Sequence, residues 1–110
     1  MADRFAEAMR LMRKHDPQLM EDGFGMMRTI AGSHLPKLVE AYESEPDIGL
    51  RRWLLELIGS TARAENLNVL VDALGAEDEA LRETAAAGLA LMDTKEARTV
   101  LYEHREGGTS

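Results

Sequence analysis

The chain has 110 residues, a formal charge of −7, 45% apolar residues and no cysteine. That is enough for one domain with a continuous core, and it excludes a disulfide framework and a thiol nucleophile. A net acidic balance excludes general phosphate-backbone binding, which rests on clustered Lys and Arg, and no stretch approaches the roughly 18 apolar residues of a membrane span.

The apolar spacing is helical throughout, so an all-α chain of about seven helices is expected. Phe5, Ala8, Met9 and Met12 share one face of a first helix over residues 2–14. Asp16 is placed as N-cap of a second, with Pro17 at its first position, where the missing N–H is an orphan anyway. That helix carries Leu19, Met20, Phe24, Met27 and Ile30, and Gly32 is expected to close it in a left-handed conformation. Ser33 and Pro36 open a short third helix with Leu35, Leu38, Val39 and Tyr42. Asp47 caps a fourth, which runs to Gly59 or Ser60. Leu67, Leu70, Val71 and Leu74 mark a fifth before Gly75, and a sixth starts at Asp78 or the residue before it and ends near Met92. Asp93 or Thr94 caps a seventh that holds Ala97, Val100 and Leu101. Strict alternation is absent and β-branched residues are sparse, so no strand is expected. The start, Met1-Ala2-Asp3-Arg4, lacks a basic segment followed by an apolar run, so a cytoplasmic protein is expected.

One phrase returns at a fixed distance. Asp47-Ile-Gly-Leu50-Arg51-Arg52 reappears 31 residues later as Asp78-Glu-Ala-Leu81-Arg82-Glu83, with a weaker echo in Asp16-Pro17-Gln18-Leu19-Met20-Glu21. A period of this length is the signature of a stack of units, each too small to bury its own apolar face. The unit resembles the HEAT-like repeat, and its period resembles the short HEAT-like repeats described in phycocyanobilin lyases. The resemblance is best over residues 47–105 and weaker over 16–43, where Met20 replaces the arginine. It implies a short α-solenoid of antiparallel hairpins, with a cap over 1–15, units over 16–46, 47–77 and 78–105, and a flexible tail over 106–110. It further implies that Asp47 pairs with Arg51, and Asp78 with Arg82, at the seams between units. Helical spacing supports that pairing, since i and i+4 share a face.

In HEAT-like stacks the second helix of each unit lines the concave surface where partners dock. The 31-residue offset then aligns rows across the units: Glu21, Arg52 and Glu83; Gly25, Glu56 and Ala87; Arg28, Gly59 and Ala90; Asp22, Trp53 and Thr84; Thr29, Ser60 and Leu91. Helical phase in the fourth helix puts Leu50, Leu54, Leu57, Ile58 and Thr61 inside, and Arg52, Glu56, Gly59 and Ser60 outside. The candidate partner-binding residues are therefore Glu21, Gly25, Arg28, Arg52, Trp53, Glu56, Glu83 and Leu91. Small residues admit close approach, and Trp and Arg are enriched at interface hot spots. Trp53 lies on the boundary, so burial against a neighbouring unit competes with an anchoring role. Gly23 and Gly25 permit close packing within the second helix, or let a ligand approach Gly25.

Other motifs carry no chemistry. His15, His34 and His104 have no ligand spacing, so no metal is expected. The acidic runs Glu40-Glu43-Glu45-Asp47 and Glu77-Asp78-Glu79 suit helix N-termini. Gly23-Phe24-Gly25 lacks the strand and Lys-Ser/Thr of a phosphate loop, no cofactor motif is present, and no Ser or Thr has a base–orienter arrangement. The expected function is a non-enzymatic module that holds a protein partner, one of basic character suiting the acidic surface; an inhibitor or immunity-type protein is one concrete form. No nucleic-acid or membrane partner is expected, and a monomer or weak homodimer is. Self-assembly through the open ends of the stack is the alternative. An enzyme of chromophore-lyase or DNA-glycosylase type is a further one, opposed by the missing thiol and by Glu21, Glu56 and Glu83 in the rows.

Overall fold

The computed structural model describes residues 3–107, and the expectations for residues 1–2 and 108–110 lie outside them. Seven α-helices follow one another: α1 Arg4–Met12, α2 Pro17–Ile30, α3 Leu35–Ser44, α4 Ile48–Ser60, α5 Leu67–Leu74, α6 Glu79–Met92 and α7 Lys95–Gly107. No strand occurs among the described residues.

Asp16, Asp47 and Asp78 start their helices as expected, and Asp3, expected inside the first helix, caps it instead. The carboxylate of Asp3 accepts from the backbone N–H groups of Phe5 and Ala6. Asp16 accepts from Gln18 and Leu19, Asp47 from Gly49 and Leu50, and Asp78 from Leu81. Each such cap is worth about 1 kcal/mol, because it satisfies orphan N–H groups of the first turn. Thr94 does the same for Ala97. The start of α3 differs from expectation: His34 occupies the cap position without a side-chain bond to the first-turn N–H groups, while the Ser33 hydroxyl donates back to the Ile30 carbonyl.

Helix ends depart further from the reading. Among the described residues no glycine has a positive φ, and α2 ends in a 3₁₀ turn over Ala31–Ser33 rather than in a left-handed Gly32. The left-handed positions belong to Ala62 (φ 53°), after α4, and Asp93 (φ 49°), after α6. Buried Asn66 closes the first of these turns by donating to the Ile58 carbonyl and the Thr61 hydroxyl.

The helices form two layers. α3 packs on α4 and α5 on α6 as antiparallel hairpins, α4 packs along α6, and α7 covers α6 and touches α5. α1 and α2 form the first hairpin, and α2 meets α4 more lightly. The even-numbered helices thus make one layer and the odd-numbered helices the other, in a body measuring 48 × 25 × 21 Å. Between them runs one apolar seam through Ala8, Met12, Met27, Leu38, Leu54, Ile58, Leu70, Leu81 and Leu89. At about 25 cal/mol per Å² of apolar area removed from water, such a seam is the main source of stability.

Two glycines set helix separations. A Cβ on Gly23 would lie 2.7 Å from the Ala8 carbonyl oxygen and 2.8 Å from the Met12 nitrogen, so α1 and α2 touch backbone to backbone. Gly59 was expected on the exposed face; it is buried instead, its added Cβ meeting the Gly88 Cα at 3.1 Å where α4 crosses α6. The α1–α2 crossing needs a residue without a side chain at Gly23, and at Gly59 an added Cβ would press on the α6 backbone.

Candidate functional site

The expected partner-binding residues lie on α2, α4 and α6, and the structure gathers half of them. A groove of about 510 Å³ runs across this layer and is lined by Arg28, Glu56, Ser60, Glu83, Thr84, Ala87 and Leu91, with Gly59 and Gly88 in its floor. The Gly59–Gly88 crossing explains the groove: two helices that meet without side chains leave a depression above the contact.

The polar groups of the groove fall into two kinds. The Ser60 hydroxyl donates to the Leu57 carbonyl, and the Thr84 hydroxyl to that of Ala80, so both serve their own helices. Arg28, Glu56 and Glu83 are exposed, and among the described residues none takes part in an ion pair. These three charges are thus free to meet a partner's. Leu91 is 62% exposed, although leucine gains about 2 kcal/mol from full burial.

Glu21, Gly25 and Arg52 are exposed on the same helices but lie outside the groove. Gly25 meets no atom within 4 Å of an added Cβ, so close packing within the second helix explains Gly23 and not Gly25. Trp53 is half-buried: its indole meets Phe24 edge-on, with centroids 5.0 Å apart and ring planes at 71°. Burial against a neighbouring unit therefore accounts for much of this side chain, and the pair is an apolar link from α2 to α4.

The seam arginines are not paired with the aspartates. Arg51 donates from Nε to the Tyr42 carbonyl at 3.2 Å, and its guanidinium lies 4.7 Å from the centre of the Tyr42 ring. Arg82 donates from Nη1 to the carbonyls of Ala76 at 2.7 Å and Glu77 at 2.8 Å. The i,i+4 rule fails because its first member is the cap: Asp47 and Asp78 have extended backbones, and their carboxylates turn onto N–H groups of the first turn. Arg51 instead reaches back to the last turn of α3, and Arg82 to the segment between α5 and α6. Burial pushes the Tyr42 phenol above its ordinary pKa, with Arg51 opposing.

One ion pair escaped the spacing argument altogether. Glu45 is buried, accepts from Arg13 at 2.8 Å and from the Asp47 N–H at 3.1 Å, and so ties the end of α1 to the α3–α4 turn. It sits in an acidic run expected to be solvated, and nothing local distinguishes it from Glu43. His34 stacks on Phe5, with ring centroids 5.9 Å apart. Among the described residues no group of three or more His, Asp or Glu could hold a metal ion, and no helix is long and apolar enough to cross a membrane.

A family model described as HEAT repeats matches residues 35–108. The chain belongs to the HEAT repeat family. No individual curated protein and no solved structure matches it significantly. The HEAT match begins at α3 and leaves out α1 and α2, where Met20 stands in place of the repeat arginine and the contact to α4 is lightest. HEAT repeats commonly mediate protein–protein interaction, and the family is generally non-enzymatic.

Proposed function

We propose that this HEAT repeat chain is a non-enzymatic binding module whose protein partner docks on the α2–α4–α6 face. The observation that carries the reading is the groove above the Gly59–Gly88 crossing, with three unpaired charges and an exposed leucine around a floor of small residues. Such an arrangement offers a partner close backbone approach, charge selection and one apolar anchor. Two carboxylates against one guanidinium favour a partner segment of net positive charge, as does the charge of the whole chain. A small acidic inhibitor of a basic protein is one form this role takes. The units proposed for such a module are a capping helix over 1–15 and repeats over 16–46, 47–77 and 78–105. The 31-residue period supports the narrower likeness to the repeats of phycocyanobilin lyases, as regards architecture alone.

The test is capture from the native lysate with wild type beside Glu56→Lys/Glu83→Lys, both checked for folding. A protein retained by wild type and lost with the folded variant supports the reading. Equal retention by both overturns it. Trp53 is a poor probe, because its truncation also removes the contact with Phe24.

A further inference from the structure

We propose that the groove between α1 and α3, on the opposite layer, is a docking site for an acidic amphipathic helix of a partner protein. This groove of about 810 Å³ is the larger of the two. Its floor is apolar, made by Phe5, Ala6, Met9 and Ala41, and its rim carries Arg10, Arg13, Lys14 and Lys37 against the single carboxylate of Glu40. Asp3, Glu7 and Glu45, outside the lining, pair with three of these cations, so the groove is locally near neutral on a chain of charge −7. The α2–α4–α6 groove has Arg28 against Glu56 and Glu83, and a groove beside α5 has Arg51 against Glu43, Asp72, Glu77 and Asp78.

The rim cations retain capacity for a ligand. Arg10 pairs with Glu7 and Arg13 with Glu45, while Lys37 approaches Asp3 at 3.9 Å and the Phe5 ring at 5.7 Å. These three cationic side chains remain 54–58% exposed, and a guanidinium has five N–H donors, of which the pairs use one or two. Lys14 has no ion-pair partner among the described residues. Carboxylates on an incoming segment therefore find Lys14 and the spare N–H donors of Arg10 and Arg13 for charge-assisted bonds.

Shape selects a helix. The walls are two helices that scarcely touch each other, and α1, nine residues long, gives the groove a length of about 14 Å. That accommodates two to three turns whose i, i+3/i+4 and i+7 side chains enter the apolar floor, with acidic residues beside them. A membrane surface fits less well. The exposed large apolar side chains Leu19, Ile48, Leu91 and Tyr102 all lie outside this groove.

The experiment is fluorescence anisotropy with a labelled synthetic peptide of about four helical turns, carrying Leu at i, i+3, i+4 and i+7 and Glu at the flanking positions. A twin has Lys for every Glu. The Glu peptide is expected to bind and the Lys twin not to. Arg10→Glu/Lys14→Glu should weaken binding at least about tenfold, whereas Arg28→Glu/Arg52→Glu, the same charge change on the other layer, should leave it within about twofold. If the first pair fails to fold, Lys14→Glu alone replaces it, since that side chain is exposed and unpaired. No saturable binding of the Glu peptide, equal binding of the twin, or equal weakening by both double variants overturns the proposal. So does co-sedimentation with phosphatidylserine vesicles, or a wild-type dimer in sedimentation, if Arg10→Glu/Lys14→Glu abolishes it. Those results would give the cations to a membrane or to a second copy.

Discussion

Gly23 and Gly25 lie two residues apart in α2, and alanine at each should move stability in opposite directions. Replacing glycine with alanine inside a helix gains about 1 kcal/mol from reduced unfolded-state freedom. At Gly25 nothing opposes that gain, because the new Cβ enters open space. At Gly23 it would sit 2.7–2.8 Å from the Ala8 oxygen, the Leu11 Cβ and the Met12 nitrogen. Two of these are backbone atoms that cannot swing aside, so α1 and α2 must separate and loosen the packing of Ala8 and Met12. Overpacking of this kind costs about 1–3 kcal/mol, and contacts this short place it at the upper end. The net expectation is a gain of about 1 kcal/mol for Gly25→Ala and a loss of about 2 for Gly23→Ala. For a domain of this size these correspond to roughly 4 °C up and 8 °C down in Tm. Urea titration followed by far-UV circular dichroism measures both, and the fluorescence of Trp53, the sole tryptophan, reports the α2–α4 contact in the same samples. Gly23→Ala as stable as wild type would refute the backbone contact, and a destabilised Gly25→Ala would refute the open position.

Other consequences are equally direct. Arg82→Ala removes two bonds from a charged donor to carbonyls and should cost about 1.5–3 kcal/mol, while exposed Arg52→Ala should cost within about 0.5. A double-mutant cycle between Asp78 and Arg82 should give a coupling near zero; a coupling above about 1 kcal/mol would restore the aspartate–arginine pair. Ala62→Gly should raise the urea midpoint, because the left-handed backbone costs alanine about 1 kcal/mol, and a lowered midpoint would contradict that φ. Burial raises the Tyr42 phenol, so in alkali the unfolded chain loses this proton first. Stability should therefore fall as pH rises through the ordinary tyrosine value of about 10, and Tyr42→Phe should flatten that slope in pH-dependent urea titrations.

The repeat and the caps were legible because they are local. A 31-residue period needs no contacts to be seen, and an aspartate ahead of an apolar run has one geometric use there. The face was half legible for a related reason. Helical phase assigns a direction to every residue on a cylinder, so Arg28, Glu56, Glu83 and Leu91 emerged on one side. Phase alone does not say how near the next helix comes. Gly59 points sideways and is buried only because Gly88 stands opposite, a fact about two units at once. The seam arginines failed through the cap itself, since a residue with an extended backbone does not present its side chain along the helix face. Glu45 and the α1–α3 groove were illegible because they join segments some thirty residues apart with no repeating signal. Basic residues scattered over α1 and α3 became a rim only when the two helices were set side by side.

Hydrogen exchange on the chain bound to its captured partner tests the central claim most directly. Docking on the α2–α4–α6 layer predicts new protection in peptides from those three helices, strongest around Glu56, Glu83 and Leu91, with α5 and α7 unchanged. Protection confined to the odd-numbered helices would contradict it and move the partner to the opposite layer.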